Sequence, residues 1–175
     1  MKAVAVIAAL MLSACQAQPP ASTPAGDANG AAGQDVPLPP QLPIGQIQGR
    51  AARSARVDQL VSIQGVVVGN FSKGLQGVFV QSERDDGDPL TAEGLFVEHA
   101  ADAEPRLRTG DRVRLSGRVV EQGDENGTLT ALRDTVIEVI GQGEVVPVVL
   151  DRAPDSAADW ERYEGMAIRV SAPLT

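Results

Sequence analysis

The sequence predicts an all-β protein whose folded part is a small closed barrel of five short strands. Three observations carry that expectation. From Ile44 onward the chain runs in short β-branched stretches punctuated by glycine, Arg112 to Glu121 alternates strictly, and an Asn126-Gly127 pair sits between two such stretches.

Leu60 to Val68 alternates in its first half and turns apolar in its second, as a long strand entering a barrel does. Gly77-Val78-Phe79-Val80-Gln81 and Gly94-Leu95-Phe96-Val97-Glu98 read as the second and third strands, separated by a polar, turn-rich stretch. In the fourth, Val113, Leu115 and Val119 share one face, and Arg112, Arg114, Ser116 and Arg118 share the other. Thr128 to Ile140 is the fifth, joined to the fourth through Asp124-Glu125-Asn126-Gly127, since Asn-Gly is the strongest short hairpin signal. No long helical period competes, and five strands in so short a span favour a barrel over a sandwich. Val145 to Leu150 is extended. Asp155 or Ser156 caps a short helix running to about Glu164, with Gly165 as its stop. Met166 to Val170 is a last strand with no obvious partner after it.

The first 43 residues have a different character. Lys2 is followed by the apolar run Ala3 to Leu12, too short to span a bilayer, and then by Leu12-Ser13-Ala14-Cys15. This is an export signal ending in a sequence similar to the lipobox of bacterial lipoproteins, in which Cys15 would be acylated and become the mature N-terminus. Gln16 in place of Asp resembles the outer-membrane sorting pattern of Gram-negative lipoproteins. Gln16 to Pro43 holds seven of the twelve prolines and only two charges, Asp27 and Asp35. Nothing there can bury a core, so it reads as a tether of roughly 30 Å root-mean-square reach. The expected organisation is therefore signal 1–15, tether 16–43, barrel 44–150, and the start of a second, incomplete β module in 151–175. An unpaired apolar strand in that last stretch is an aggregation hazard, so a chain ending near Leu150 is expected to be at least as soluble as the whole.

Composition excludes more than it suggests. The 175 residues carry a net charge of -8, with 15 basic against 23 acidic side chains, which argues against an autonomous polyanion binder. One His, His99, and one Cys rule out a Cys/His zinc cage, most nucleophile–His devices and any internal disulfide. The fold must be held by its apolar core.

Seven motifs follow one another between residues 44 and 170: Ile44-Gly45-Gln46-Ile47-Gln48-Gly49, Gly65-Val66-Val67, Gly77-Val78-Phe79-Val80-Gln81, Asp85-Asp86-Gly87-Asp88-Pro89, Glu93-Gly94-Leu95-Phe96-Val97, Gly110-Asp111-Arg112-Val113-Arg114-Leu115-Ser116-Gly117 and Glu161-Arg162-Tyr163-Glu164-Gly165-Met166. In this order they resemble the N-terminal OB-like region of bacterial extracellular nucleases, which precedes a catalytic domain of the endonuclease/exonuclease/phosphatase superfamily. The resemblance implies an OB-fold-like barrel, a β module opening at Glu161-Arg162-Tyr163-Glu164-Gly165-Met166, and a nuclease domain beyond it. Such a nuclease holds a divalent metal and phosphate with several His, Asp and Asn residues. With one His and three Asn, this chain matches none of that set, and no catalytic residue carries over.

Three candidate sites remain. Asp85, Asp86 and Asp88, with Glu83 and Glu93 nearby, offer oxygen ligands for Ca²⁺ or another divalent metal, although Asp-Gly and Asp-Pro are also ordinary turn chemistry. Arg112, Arg114 and Arg118 could track the phosphates of single-stranded nucleic acid, with Phe71, Phe79 or Phe96 as stacking platforms; alternation assigns the phenylalanines to the core first. Cys15 is the lipidation site and the membrane contact. His99 is expected to be exposed in a polar loop, and Trp160 with Tyr163 to plug a barrel end. The sequence thus supports a non-catalytic, lipid-anchored accessory region of an extracellular nuclease, exported and held at the outer membrane or cell surface. Its alternative is a stand-alone envelope lipoprotein that binds a small ligand, a glycan or a protein.

Overall fold

Leu60–Asn70 (β1), Gly77–Gln81 (β2), Gly94–Glu98 (β3), Asp111–Asp124 (β4) and Gly127–Gln142 (β5) close into a barrel of order β1-β2-β3-β5-β4 in the computed structural model. The structure describes residues 39–124 and 127–171, so Cys15 and most of the expected tether lie outside the described residues. Every junction is antiparallel except β3 with β5, where Phe96 and Val97 run alongside Ala131 and Leu132. The expected hairpin is present, with Asp124 opposite Gly127.

Period two decides what faces the core. Val61, Ile63 and Val67 of β1, Val78 and Val80 of β2, Leu95 and Val97 of β3, Val113, Leu115 and Val119 of β4 and Leu132 of β5 form one buried cluster. Within Gly77–Gln81 and Gly94–Glu98 the inward parity belongs to Val78, Val80, Leu95 and Val97. Phe79 and Phe96 therefore point away from that cluster; Phe96 is buried all the same, as expected, whereas Phe79 is half-buried and Phe71 exposed, against the expectation that all three belong to the core.

The barrel-end plug also differs from the expectation. A short helix at Ile44–Gln48 (α1) seats Ile44 and Ile47, both at most 1% exposed, in the core cluster. Its i, i+3 isoleucines follow Pro43, and Gly49 ends it at φ 72°, a conformation that costs glycine little. The helix expected to plug the end, Ala157–Glu161 (α2), buries none of its residues, and Trp160 packs edge-on against Tyr163 at 6.5 Å instead. Ser156 does cap it, accepting from Asp159 N at 3.3 Å, but the helix ends at Glu161 with Arg162 as its C-cap, short of the expected Glu164, and Gly165 at φ 68° closes the turn that follows. Residues 39–42, read as tether, lie along β1, where Leu42 N donates to Ser62 O and Ser62 N to Pro40 O, both at 2.9 Å.

The last strand has a partner upstream of it. Ile168–Val170 (β7) pairs in parallel with Val148–Leu150 (β6), so the expected boundary after residue 150 falls inside a two-stranded sheet. The connecting segment rests on the barrel. Ala167 N donates to Gln81 Oε1 at 2.8 Å, Thr130 N to Glu164 Oε1 at 3.0 Å, and Gln48 Nε2 to the same oxygen at 3.1 Å. His99 is likewise 8% exposed, not free in a loop: its Nε2 lies 2.9 Å from Pro105 O, and its N–H donates to Gln76 O, because the stretch after β3 folds back over it.

Candidate functional site

The outer face of β4-β1-β2-β3 carries most of the side chains that the sequence singled out. Strand register lays them out in rows. Arg118 is opposite Leu60, Ser116 opposite Ser62 and Arg114 opposite Gln64; the next row runs Arg112, Val66, Gln81, Gly94, and the one after it Gly69, Phe79, Phe96. Strands are about 4.8 Å apart and alternate residues about 7 Å, so arginines and phenylalanines share one surface within a few nucleotide lengths.

The chain's own backbone crosses between them. A Cβ on Gly94 would overlap the backbone of Gly165 and lie 2.6 Å from Met166 N, and one on Gly143 would overlap the Val66 side chain. Val66 is accordingly 2% exposed although it points away from the core cluster. The Arg112–Gly94 row is thus roofed by Gly143 and by residues 165–167, which separate the arginines from the aromatic rings.

The arginines are also engaged. Arg112 makes a two-pronged pair with Glu83 at 2.6 and 2.8 Å, Arg114 meets Glu138 at 3.1 Å, and Arg118 donates to Asp58 O at 2.7 Å. The Arg112 guanidinium holds the Glu83 carboxyl below the usual carboxylate range. Each contact is solvent-exposed and weak in itself, yet a phosphate would have to displace a carboxylate at Arg112 and Arg114 and a backbone carbonyl at Arg118.

On the far side of the roof, Phe71, Phe79 and Phe96 form a chain of edge-to-face contacts with centroids 5.8 and 5.1 Å apart. Phe96 is buried, Phe79 half-buried, and Phe71 49% exposed. An open cleft of about 320 Å³ lies beside them, lined by Val68, Gly69, Phe71, Phe79 and Gly165–Ala167.

The acidic loop does not assemble a donor set. Asp85, Asp86 and Asp88 each accept from the backbone N–H two residues ahead, at Gly87, Asp88 and Leu90. Asp88 also pairs with Arg50 at 2.8 Å, and the Leu90 N–H followed by Arg50 lowers its carboxyl. Glu93, 5% exposed, accepts from Asp86 N at 2.9 Å, and burial pushes its carboxyl up. Among the described residues no group of three or more His, Cys, Asp or Glu is arranged to hold a metal ion. The hydrogen bonds of the three aspartates are those of ordinary turn chemistry.

Sequence reasoning missed a carboxylate cluster at the α1 end of the barrel. Glu164 is half-buried under Gln48 and Thr130, and Glu121 accepts from Ser54 N at 2.7 Å and from Thr130 Oγ1 at 3.0 Å. Burial is the main cause that pushes the Glu164 carboxyl up to about 7, with Glu161 and Glu121 adding to it. Glu161 and Glu164 stand three apart, a visible spacing, but nothing in the chain announces that β4 brings Glu121 to them.

The class so defined is a five-stranded closed barrel with an α1 plug and an outer face crossed by its own C-terminal segment. Compared with known proteins, the chain matches no family model and no curated protein.

Proposed function

We propose that this chain is a non-catalytic OB-type accessory region of an extracellular, metal-dependent nuclease, exported, lipid-anchored at Cys15, and built to position a nuclease domain rather than to capture a strand. One observation carries the choice between those two tasks: residues 143 and 165–167 lie across the sheet face that OB-type barrels use for extended ligands. The same roof divides the cationic rows from the rings. A domain that follows residues held on the barrel would itself be held close to it. Single-stranded nucleic acid remains at most a weak, low-salt partner of Arg112, Arg114 and Arg118.

Fluorescence anisotropy with labelled single-stranded DNA at low salt tests the positioning role. The expected result is marginal binding whose salt slope stays below that of one neutralised phosphate, about 0.7. Binding with a slope of two or more phosphates, abolished by the triple change Arg112→Gln, Arg114→Gln, Arg118→Gln, would replace positioning by strand capture. The nuclease assignment is tested by reading the gene past codon 175. An open frame carrying His, Asp and Asn motifs supports it, and an immediate stop codon overturns it in favour of the stand-alone lipoprotein. The Phe71–Phe79 cleft is the feature that favours that second reading.

A further inference from the structure

Three carboxylates converge where the C-terminal segment meets the barrel. Glu164 Oε1 accepts from Gln48 Nε2 of α1 and from Thr130 N of β5. Gln48 is 5% exposed and is held by a second bond, Nε2 to Gly94 O at 2.6 Å, so its position is fixed by β3. Glu121 of β4 reaches the same Thr130 through its hydroxyl, and its Oε2 is buried with no hydrogen-bond partner. Glu161 of α2 is near enough to raise, and be raised by, this group.

The charges facing Glu164 are therefore both negative, Glu121 from β4 and Glu161 from α2, while α1 and β5 contribute only neutral donors. Among the described residues no Lys or Arg pairs with any of the three. Arg162, next in sequence, is stacked over the Tyr163 ring at 5.0 Å. Three ionised carboxylates without a counter-charge are costly in such a place, and one proton relieves the repulsion.

We propose that Glu164 is a proton-operated latch on the C-terminal segment: neutral, it holds residues 162–168 on the barrel; ionised beside Glu121 and Glu161, it lets them go. Besides its packing on Gly94, the segment's other hydrogen bonds to the barrel among the described residues are chiefly Ala167 N to Gln81 Oε1 and Glu93 N to Met166 Sδ at 3.4 Å. Burial and the two neighbouring acids place the transition at about pH 7. Since the released carboxyl regains its ordinary acidity, linkage weakens docking progressively as pH rises from about 4.5 to 7. This latch is independent of any nuclease domain, because every group in it belongs to the barrel and its own tail.

Hydrogen exchange read by mass spectrometry, corrected for the intrinsic effect of pH, tests it on the whole protein between pH 5.5 and 8.5. Peptides covering 160–170 are expected to lose about tenfold in protection across that range while β1 and β4 peptides hold theirs. Glu164→Gln, which keeps the acceptor and cannot ionise, is expected to stay protected throughout. Should that variant fail to fold, Glu161→Gln decides, by shrinking the pH effect and moving it to lower pH. Protection that is independent of pH in the unaltered protein, or a pH effect undiminished in Glu164→Gln or Glu161→Gln, overturns the latch.

Discussion

Gly94→Ala isolates the contact between the C-terminal segment and the barrel without touching a polar group. The added Cβ would meet the backbone of Gly165 and stand 2.6 Å from Met166 N, and backbone cannot swing aside as a side-chain tip can. Either β3 distorts or residues 164–167 lift. Lifting forfeits Gln48–Glu164, Thr130–Glu164 and Ala167–Gln81, three hydrogen bonds worth about 0.5–1.5 kcal/mol each. Overpacking a tight site costs a similar sum, so destabilisation of about 2–4 kcal/mol is expected, on the order of 10 °C in Tm. Urea and thermal melts measure it, with hydrogen exchange of peptides 160–170 showing where the loss falls. Gly74→Ala, whose Cβ would have nothing within 4 Å, is the control and should stay within about 0.5 kcal/mol. A Gly94→Ala protein as stable as that control would mean that the segment does not rest on β3, and the roof over the outer face would fall with it.

Removing Asp151 to Thr175 strips β7 from β6 and Glu164 from Gln48, so the shortened chain is expected to be less soluble than the whole, read as the soluble fraction after lysis; equal solubility would restore the boundary expected from sequence. Stability should fall between about pH 4.5 and 7, because the folded state, with Glu164 raised to about 7 and Glu93 also raised, binds more protons there than the unfolded chain. After allowance for solvent at the half-buried Glu164 the loss is roughly 1–2 kcal/mol, visible as a Tm lower at pH 8 than at pH 5; a Tm that rises over that range would refute it. Glu83, held low by Arg112, acts in the opposite sense and loses its contribution only on further acidification. Cys15→Ser should move the protein from the membrane to the soluble fraction, and unchanged fractionation would defeat the lipid anchor.

The barrel was legible because period two is a local property. Val113, Leu115 and Val119 announce an inward face within seven residues, and the Asn126-Gly127 turn needs no distant partner to specify a hairpin. Ser156 was equally readable, since a cap is set by its own backbone geometry, whereas the helix ends at Glu161, ahead of the expected stop at Gly165. Partners across the fold were not. Whether Arg112 meets a phosphate or a carboxylate depends on Glu83, 29 residues away, and on the register that sets β1 between them. Phe79 and Phe96 are apolar enough for the barrel interior, but Val78, Val80, Leu95 and Val97 hold the inward parity, so Phe96 is buried on the outer face and Phe79 only half-buried. The three-carboxylate cluster needed α1, β4, β5 and the C-terminal segment to meet at one end of the barrel. Alternation and turn chemistry are written in neighbouring residues, whereas burial, ion pairing and a raised carboxyl come into being only when elements distant in sequence close upon one another.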